Sequence, residues 1–202
     1  MHKQPEVTER TKSAFISVFC ELYKEKPIEK ITVQEITNRS GYNRSTFYQH
    51  FTDIYDLLDY VERDVLAYAQ DMPLPNIAAG QLDDVLIHRI ALLFEEKSDY
   101  LGALLGDYGS VRFIDKIKAN MMVNVTEAAT YLTGNALLPY IREFAVSAAI
   151  SMFRYWYRNN KDISSEELVS LIRALFTDGV LVQLQRVALQ AGDCSGETLS
   201  PV

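Results

Sequence analysis

The sequence predicts an all-α protein, with a three-helix head over residues 1–52 and a helical body over residues 53–202. Two observations carry this. Apolar residues recur at helical spacing in segment after segment, from Ala14, Phe15, Val18, Phe19 and Leu22 to Phe144, Ala148, Met152 and Phe153. Between these segments stand residues that start or stop helices: Thr32, Gly41, Asn43, Asp53, Pro139 and Ser164. With 202 residues and 48% hydrophobic content, the chain can build a large core and is not globally disordered.

Residues 1–7 read as a loose arm, made mildly basic by Lys3 and the nearby Arg10 and Lys12. Its two readings are a solvated tail and a phosphate contact. A first helix is expected from Thr8 to about Lys26, where Pro27 stops it. Residues 31–51, ITVQEITNRSGYNRSTFYQHF, then read as two short helices around a tight turn. Thr32 caps the first, and Glu35 three residues later completes a capping box. Val33 and Ile36 face inward, and Gly41 ends the helix in a left-handed conformation. Asn43 caps the second helix, expected to carry Arg44, Ser45, Thr46, Tyr48, Gln49 and His50. Phe47 and Phe51, four apart, supply its buried side. A short helix rich in hydrogen-bonding side chains and pinned by two aromatics suits the major groove of DNA.

ITVQEI, SGYNRSTFYQHF and the Asp56-Leu57-Leu58 run resemble the helix-turn-helix of the tetracycline-repressor (TetR) family. Gly41, the Thr46-Phe47-Tyr48 run and Phe51 fall where that family's pattern has them. The resemblance implies a three-helix head that reads double-stranded operator DNA, a dimeric body and an apolar effector cavity. Arg44, Ser45, Thr46 and Gln49 are then expected at base edges or the groove wall, with Arg44 suited to guanine and Gln49 to adenine. Tyr48 and Thr32 are expected at phosphates, and Asn43 and His50 complete the DNA-binding set. The chain departs from the family after Phe51, where Thr52 and Ile54 replace the usual lysines. That departure removes phosphate contacts.

In the body, Asp53 caps a helix through Ile54, Leu57, Leu58, Val61, Val65 and Tyr68, which belongs to both halves. Residues 72–80, MPLPNIAAG, read as a loop. Leu82, Val85, Leu86, Ile90 and Leu93 mark the next helix, and Ser98 caps a short one through Leu104. Gly102, Gly106 and Gly109 lack the Gly-Lys-Ser/Thr ending and preceding strand of a phosphate loop, so they read as loop punctuation and close helix contacts. Phe113, Ile114, Ile117, Met121 and Val125 line a helix over residues 111–132. Residues 99–118 resemble the C-terminal region of a TetR subgroup common in Gram-positive bacteria. Pro139 opens a helix to about Asn160, and Ser164 or Ser165 caps a last one over residues 164–189. Gly192 then ends the ordered chain and a free tail follows.

These last two helices are apolar on more than one face and carry the small residues Ala145, Ala148, Ala149, Gly179 and Val182. They are expected to form a homodimer through a two-fold four-helix interface. The other reading of their pattern is burial within a monomer. The resemblance also implies a small-molecule effector, for which Tyr100, Tyr108, Met121, Phe153 and Trp156 are the candidate contacts; plain core is the other reading of these residues.

The net charge of −7 argues against a whole-surface nucleic-acid binder. The charge is uneven. Residues 1–52 hold 8 Lys/Arg and 6 Asp/Glu, a formal +2, whereas residues 53–202 hold 12 and 21, a formal −9. DNA attraction must therefore come from placement. Cys20 and Cys194 belong to no CxxC motif, and Cys20 reads as a core residue. His2, His50 and His88 have no metal-ligand spacing, and no nucleophile elbow appears. The pairs Asp83–Asp84, Glu95–Glu96 and Glu166–Glu167 suit helix starts or solvated faces. No catalytic residue, metal or cofactor is expected, and the chain does not read as an enzyme. The start of the chain has no signal-peptide pattern, no segment is apolar enough to span a membrane, and a cytoplasmic location is expected. The expected function is a dimeric DNA-binding transcription regulator, a repressor released from its operator by a small molecule. The alternative is a co-regulator controlled by a partner protein.

Overall fold

One buried cluster runs from Phe15 on the first helix to Ile172 on the last described one. The computed structural model describes residues 5–71, 84–128 and 136–179. Among these the regular elements are all helical: α1 (Pro5–Glu25), α2 (Val33–Ser40), α3 (Arg44–Phe47), α4 (Ile54–Gln70), α5 (Asp84–Glu96), α6 (Ser98–Leu105), α7 (Val111–Ala128), α8 (Leu138–Arg158) and α9 (Ser165–Thr177). A single 3-10 turn, Ile28–Lys30, separates α1 from α2.

The head forms because α1 supplies a continuous apolar face. Phe15, Phe19 and Leu22 are fully buried, and Cys20 joins them. Burial pushes the Cys20 thiol up to about 12, as suits an inert core residue. The chain is already helical at Pro5, so residues 5–7 are helix rather than loose arm; proline at a helix start forgoes only an N–H that has no intrahelical partner. Residues 1–4 lie outside the described part.

Local capping then sets the helix ends. Thr32 Oγ1 accepts from the Glu35 N–H at 3.2 Å. Only this half of the expected capping box forms. The Glu35 carboxylate instead accepts from Lys26 Nζ at 2.6 Å and 2.7 Å, because a cation competes better than an N–H for a carboxylate. Gly41 ends α2 at φ +76°, a left-handed conformation that side-chain-bearing residues rarely adopt. Asp53 caps α4 by accepting from the Asp56 N–H at 2.8 Å.

α4 carries the chain from head to body without a break. Its Leu57, Leu58, Val61 and Val65 are buried in the same cluster as Phe47 of the head and Phe113 of the body. α1 packs on α6, α4 on α6 and α7, α5 on α9, and α7 on α8. Ion pairs reinforce these joints: Lys97–Asp64 and Lys116–Glu62, each at 2.5 Å, and Lys24–Asp99 at 2.9 Å.

Three body expectations change. Ser98 does not cap α6; the helix follows Lys97, whose N–H bonds to Leu93 O at 2.9 Å, so the chain barely leaves the α5 path. The Ser98 hydroxyl accepts from Lys161 Nζ at 2.8 Å instead. The last helix stops at Thr177 rather than near residue 189. Gly179 sits there at φ +84°, with nothing within 4 Å of where a Cβ would lie. Gly179 thus lies just past the end of α9 rather than within the helix, where the sequence pattern has it. Ser164 does cap α9, with a full capping box to Glu167. The expected loop at 72–80, the residues beyond 128 expected in α7, Val182 and the free tail lie outside the described residues.

Candidate nucleic-acid interface

The recognition segment is a single turn of helix held from below. Phe15 packs edge-on against Tyr42, Phe47 and His50, with ring centroids 5.3, 5.4 and 6.1 Å away. Phe47 and Phe51 sit 5.7 Å apart, and Phe51 meets Tyr60 of α4 at 5.9 Å. These contacts tie the segment at both ends to α1 and α4. α3 ends at Phe47, shorter than the expected helix through His50. Beyond it the Gln49 and His50 N–H groups turn back to the Thr46 and Phe47 carbonyls, tightening the chain into a turn. The Phe51 N–H still reaches Phe47 O at 3.0 Å, which keeps both rings on the core side.

Asn43 organises the start of this segment. Its Oδ1 accepts from the Thr46 N–H at 2.8 Å, the Thr46 hydroxyl at 2.9 Å and the Ser45 hydroxyl at 2.7 Å. The oxygen serves the fold, so the side chain offers DNA only its amide donors. The exposed residues are Thr32, Asn43, Arg44, Ser45, Tyr48 and Gln49, while Thr46 is half-buried. The candidate DNA contacts between residues 43 and 49 thus reach solvent around the turn that Asn43 caps. Arg44 donates to the Tyr48 hydroxyl at 3.2 Å, and its guanidinium lies 5.9 Å from the Tyr48 ring centre. His50 differs from its expected place: it is half-buried and turned onto Phe15 and Phe51.

Two basic residues of the head are held in ion pairs. Lys26 and Arg39 both face Glu35, and Arg39 also lies 3.8 Å from Glu25. At the start of α4 the Asp56 carboxylate accepts from the Thr52 N–H at 2.8 Å. Sequence reasoning did not find the Lys26–Glu35 pair, because α1 and α2 face each other only once the turn at Pro27 is built.

The body candidates separate into three places. Phe153 stacks on Phe94 at 3.9 Å and Trp156 meets the same ring edge-on at 5.9 Å. The Trp156 indole N–H donates to Ile163 O at 2.7 Å. Tyr100 is half-buried beside the Lys97–Asp64 pair, and burial pushes its hydroxyl up to about 12. Tyr108 is exposed on the turn after α6. Met121 lies on α7, and its side chain is outside the described residues. Trp156, with Met152, Tyr155, Ile163, Leu168 and Leu171, lines a half-open apolar cleft of about 420 Å3 between α8 and α9. Among the described residues, no group of three His, Cys, Asp or Glu side chains is placed to hold a metal, and no helix is long and apolar enough to cross a membrane.

Residues 16–61 match the family model described as bacterial regulatory proteins, tetR family. This stretch is similar to a TetR-family helix-turn-helix domain. The matched stretch starts in α1, contains the helix-turn-helix and ends within α4. A TetR-family transcriptional regulator from Streptomyces coelicolor is similar in structure, with 19% identity and a TM-score of 0.58 over 83% of this chain and 79% of that one. A TetR transcriptional regulator from Streptococcus agalactiae 2603V is similar at 21% identity and a TM-score of 0.58, over 85% of this chain and 96% of that one. These likenesses establish the fold: a TetR-like helix-turn-helix head on a helical body. No curated protein matches the chain.

Asn43→Ala should destabilise the head by about 1 kcal/mol, the usual cost of losing an N-terminal cap. Chemical denaturation followed by circular dichroism measures this. An unchanged midpoint would show that Asn43 does not hold the segment.

Proposed function

We propose that the protein is a dimeric transcription regulator, a repressor that leaves its operator when a small molecule binds the body. The observation that carries the DNA reading is the surface of Arg44, Ser45, Tyr48 and Gln49, exposed on a segment whose other side is locked into the core. Arg44 and Gln49 have the donor geometry for guanine and adenine edges. Tyr48 and Thr32, both exposed, are assigned to phosphates flanking the groove. The division of labour follows the chain, with residues 1–52 reading DNA and residues 53–202 providing the dimer face and the effector site.

Support for the dimer is the unpartnered apolar face of α8. Leu137, Tyr140, Ile141, Phe144 and Tyr155 are 64%, 76%, 61%, 66% and 68% exposed in the single chain. Their spacing puts a continuous stripe along the helix, with Ala148 half-buried along it. A monomer rarely leaves so much contiguous apolar surface in water. Leu171 and Phe176 extend the stripe onto α9. Support for the effector site is thinner. Trp156 reaches a cleft of ligand size, while Phe153 fills core; Tyr100, Tyr108 and Met121 complete the proposed set. We also infer membership of the subgroup common in Gram-positive bacteria, on the residues at 99–118. No catalytic role is assigned.

Sequencing the genomic fragments retained by purified protein tests the DNA reading and yields an operator. On that operator, Arg44→Ala should weaken binding by about 1–3 kcal/mol with the fold intact. Unchanged affinity in a gel-shift titration would remove Arg44 from the interface. Phe144→Asp should convert a micromolar dimer to monomer without changing helix content. Sedimentation velocity reads this directly, and a variant that stays dimeric would place the interface elsewhere.

A further inference from the structure

We propose that the Glu62–Lys116 ion pair is the positioning contact that sets the angle of the head on the body. Its consequence for DNA rests on the reading above; the contact itself does not.

Glu62 is 3% exposed, and it is the buried charged residue on the helix that joins the two halves. Its Oε2 accepts from Lys116 Nζ at 2.5 Å, across from α4 to α7. Lys116 also lies 3.8 Å from Asp59, one turn earlier on α4, while its own side chain stays 48% exposed. Tyr23 of α1 completes the surroundings. Its hydroxyl, pushed up to about 12 by burial and then by the Glu62 charge, meets the Ser110 backbone just before α7. α4 and α7 thus meet at one carboxylate, and Tyr23 brings α1 to the residue just before α7.

A carboxylate is kept in such a place only if it is paired, since removing its partner leaves an uncompensated buried charge. The close-packed apolar contacts along α4 already resist displacement. The Glu62–Lys116 bond adds a directed attraction between α4 and α7 that weakens as the two helices separate. The pair therefore adds its own penalty to tilts that draw this part of α4 away from α7. The lever is long enough to matter. From Glu62 to the start of α4 is about 12 Å of helix, so a tilt of about 5° moves the recognition segment by roughly 1 Å. The Lys97–Asp64 pair also lies on this helix, but its carboxylate is partly exposed, whereas that of Glu62 is buried.

The test reads the head-to-body distance inside one chain. Spin labels go on Lys30→Cys in the head and Glu96→Cys in the body, both exposed sites. Cys194→Ser removes the second native thiol, and buried Cys20 resists labelling. Labelled chains are diluted with unlabelled protein so that single chains are read. Lys116→Met should shift or broaden the distance distribution by about 3 Å, the movement that a tilt of about 15° gives on this lever. Lys116→Arg should leave it as in the wild type. A Lys116→Met distribution that coincides with the wild type overturns the proposal. Should Lys116→Met fail to fold, Glu62→Gln takes its place, with broadening expected and an unchanged distribution overturning the proposal. On DNA, Lys116→Met should lower the ratio of full-operator to half-site affinity at least about five-fold, a modest coupling. A changed distance with an unchanged ratio overturns the positioning role. Failure of the wild type to bind any DNA counts against the proposed function and leaves the distance result to decide the contact.

Discussion

Phe15 is the residue on which the DNA-reading surface depends. It is fully buried on α1 and touches the turn through Tyr42, the recognition segment through Phe47 and its far end through His50. The segment itself has one helical turn, Arg44–Phe47, far too short to be helical alone in water. Its shape is imposed by burial. Each buried aromatic contributes about 1.5–3 kcal/mol from area alone, and edge-to-face pairs add about 0.5–1.5 kcal/mol each. Those terms exceed the roughly 1 kcal/mol that the Asn43 cap supplies. The cap selects where the turn starts; the aromatics keep it there.

The same economy explains the charge. A formal +2 for residues 1–52, a sum that already counts Glu25 and Glu35, is too small for strong general attraction to DNA, and those two carboxylates sit against Lys26 and Arg39. Lys26 and Arg39 tie α2 to α1 through Glu35 and Glu25. The Asp56 carboxylate takes up the Thr52 N–H at the start of α4. Head charge thus serves to hold the helices together, and under the proposed function specificity rests on base-edge groups such as Arg44 and Gln49.

Much of the fold was legible because it is local. Thr32, Asn43, Asp53 and Ser164 announce helix starts within three residues, and the apolar spacing of α1, α4 and α8 names their buried sides. What was not legible depends on distance or on context. Asp178–Gly179 stops α9, yet a glycine that ends a helix and one that packs inside it read alike in sequence. Ser98 looks like a cap, but the chain arrives there still nearly helical, so no free N–H needs it. Glu35 was assigned to a capping box because Lys26, nine residues away, was not known to face it. The Glu62–Lys116 pair spans 54 residues and had no local signature at all. In the candidate interface the exposed set from Arg44 to Gln49 followed from the helix pattern. His50 did not, because the chain tightens after Phe47 and turns its ring inward.

The segment from Arg44 to Phe51 is already formed in the free protein. Amide hydrogen exchange on the free protein tests it residue by residue. The Thr46, Tyr48 and Phe51 amides, bonded to Asn43, Arg44 O and Phe47 O, should be protected at least about a hundred-fold relative to an unstructured chain. Phe15→Ala should abolish that protection while leaving the amides of α8 and α9 slow. Exchange at the unstructured rate in the wild type would contradict the account and mean that DNA itself folds the segment.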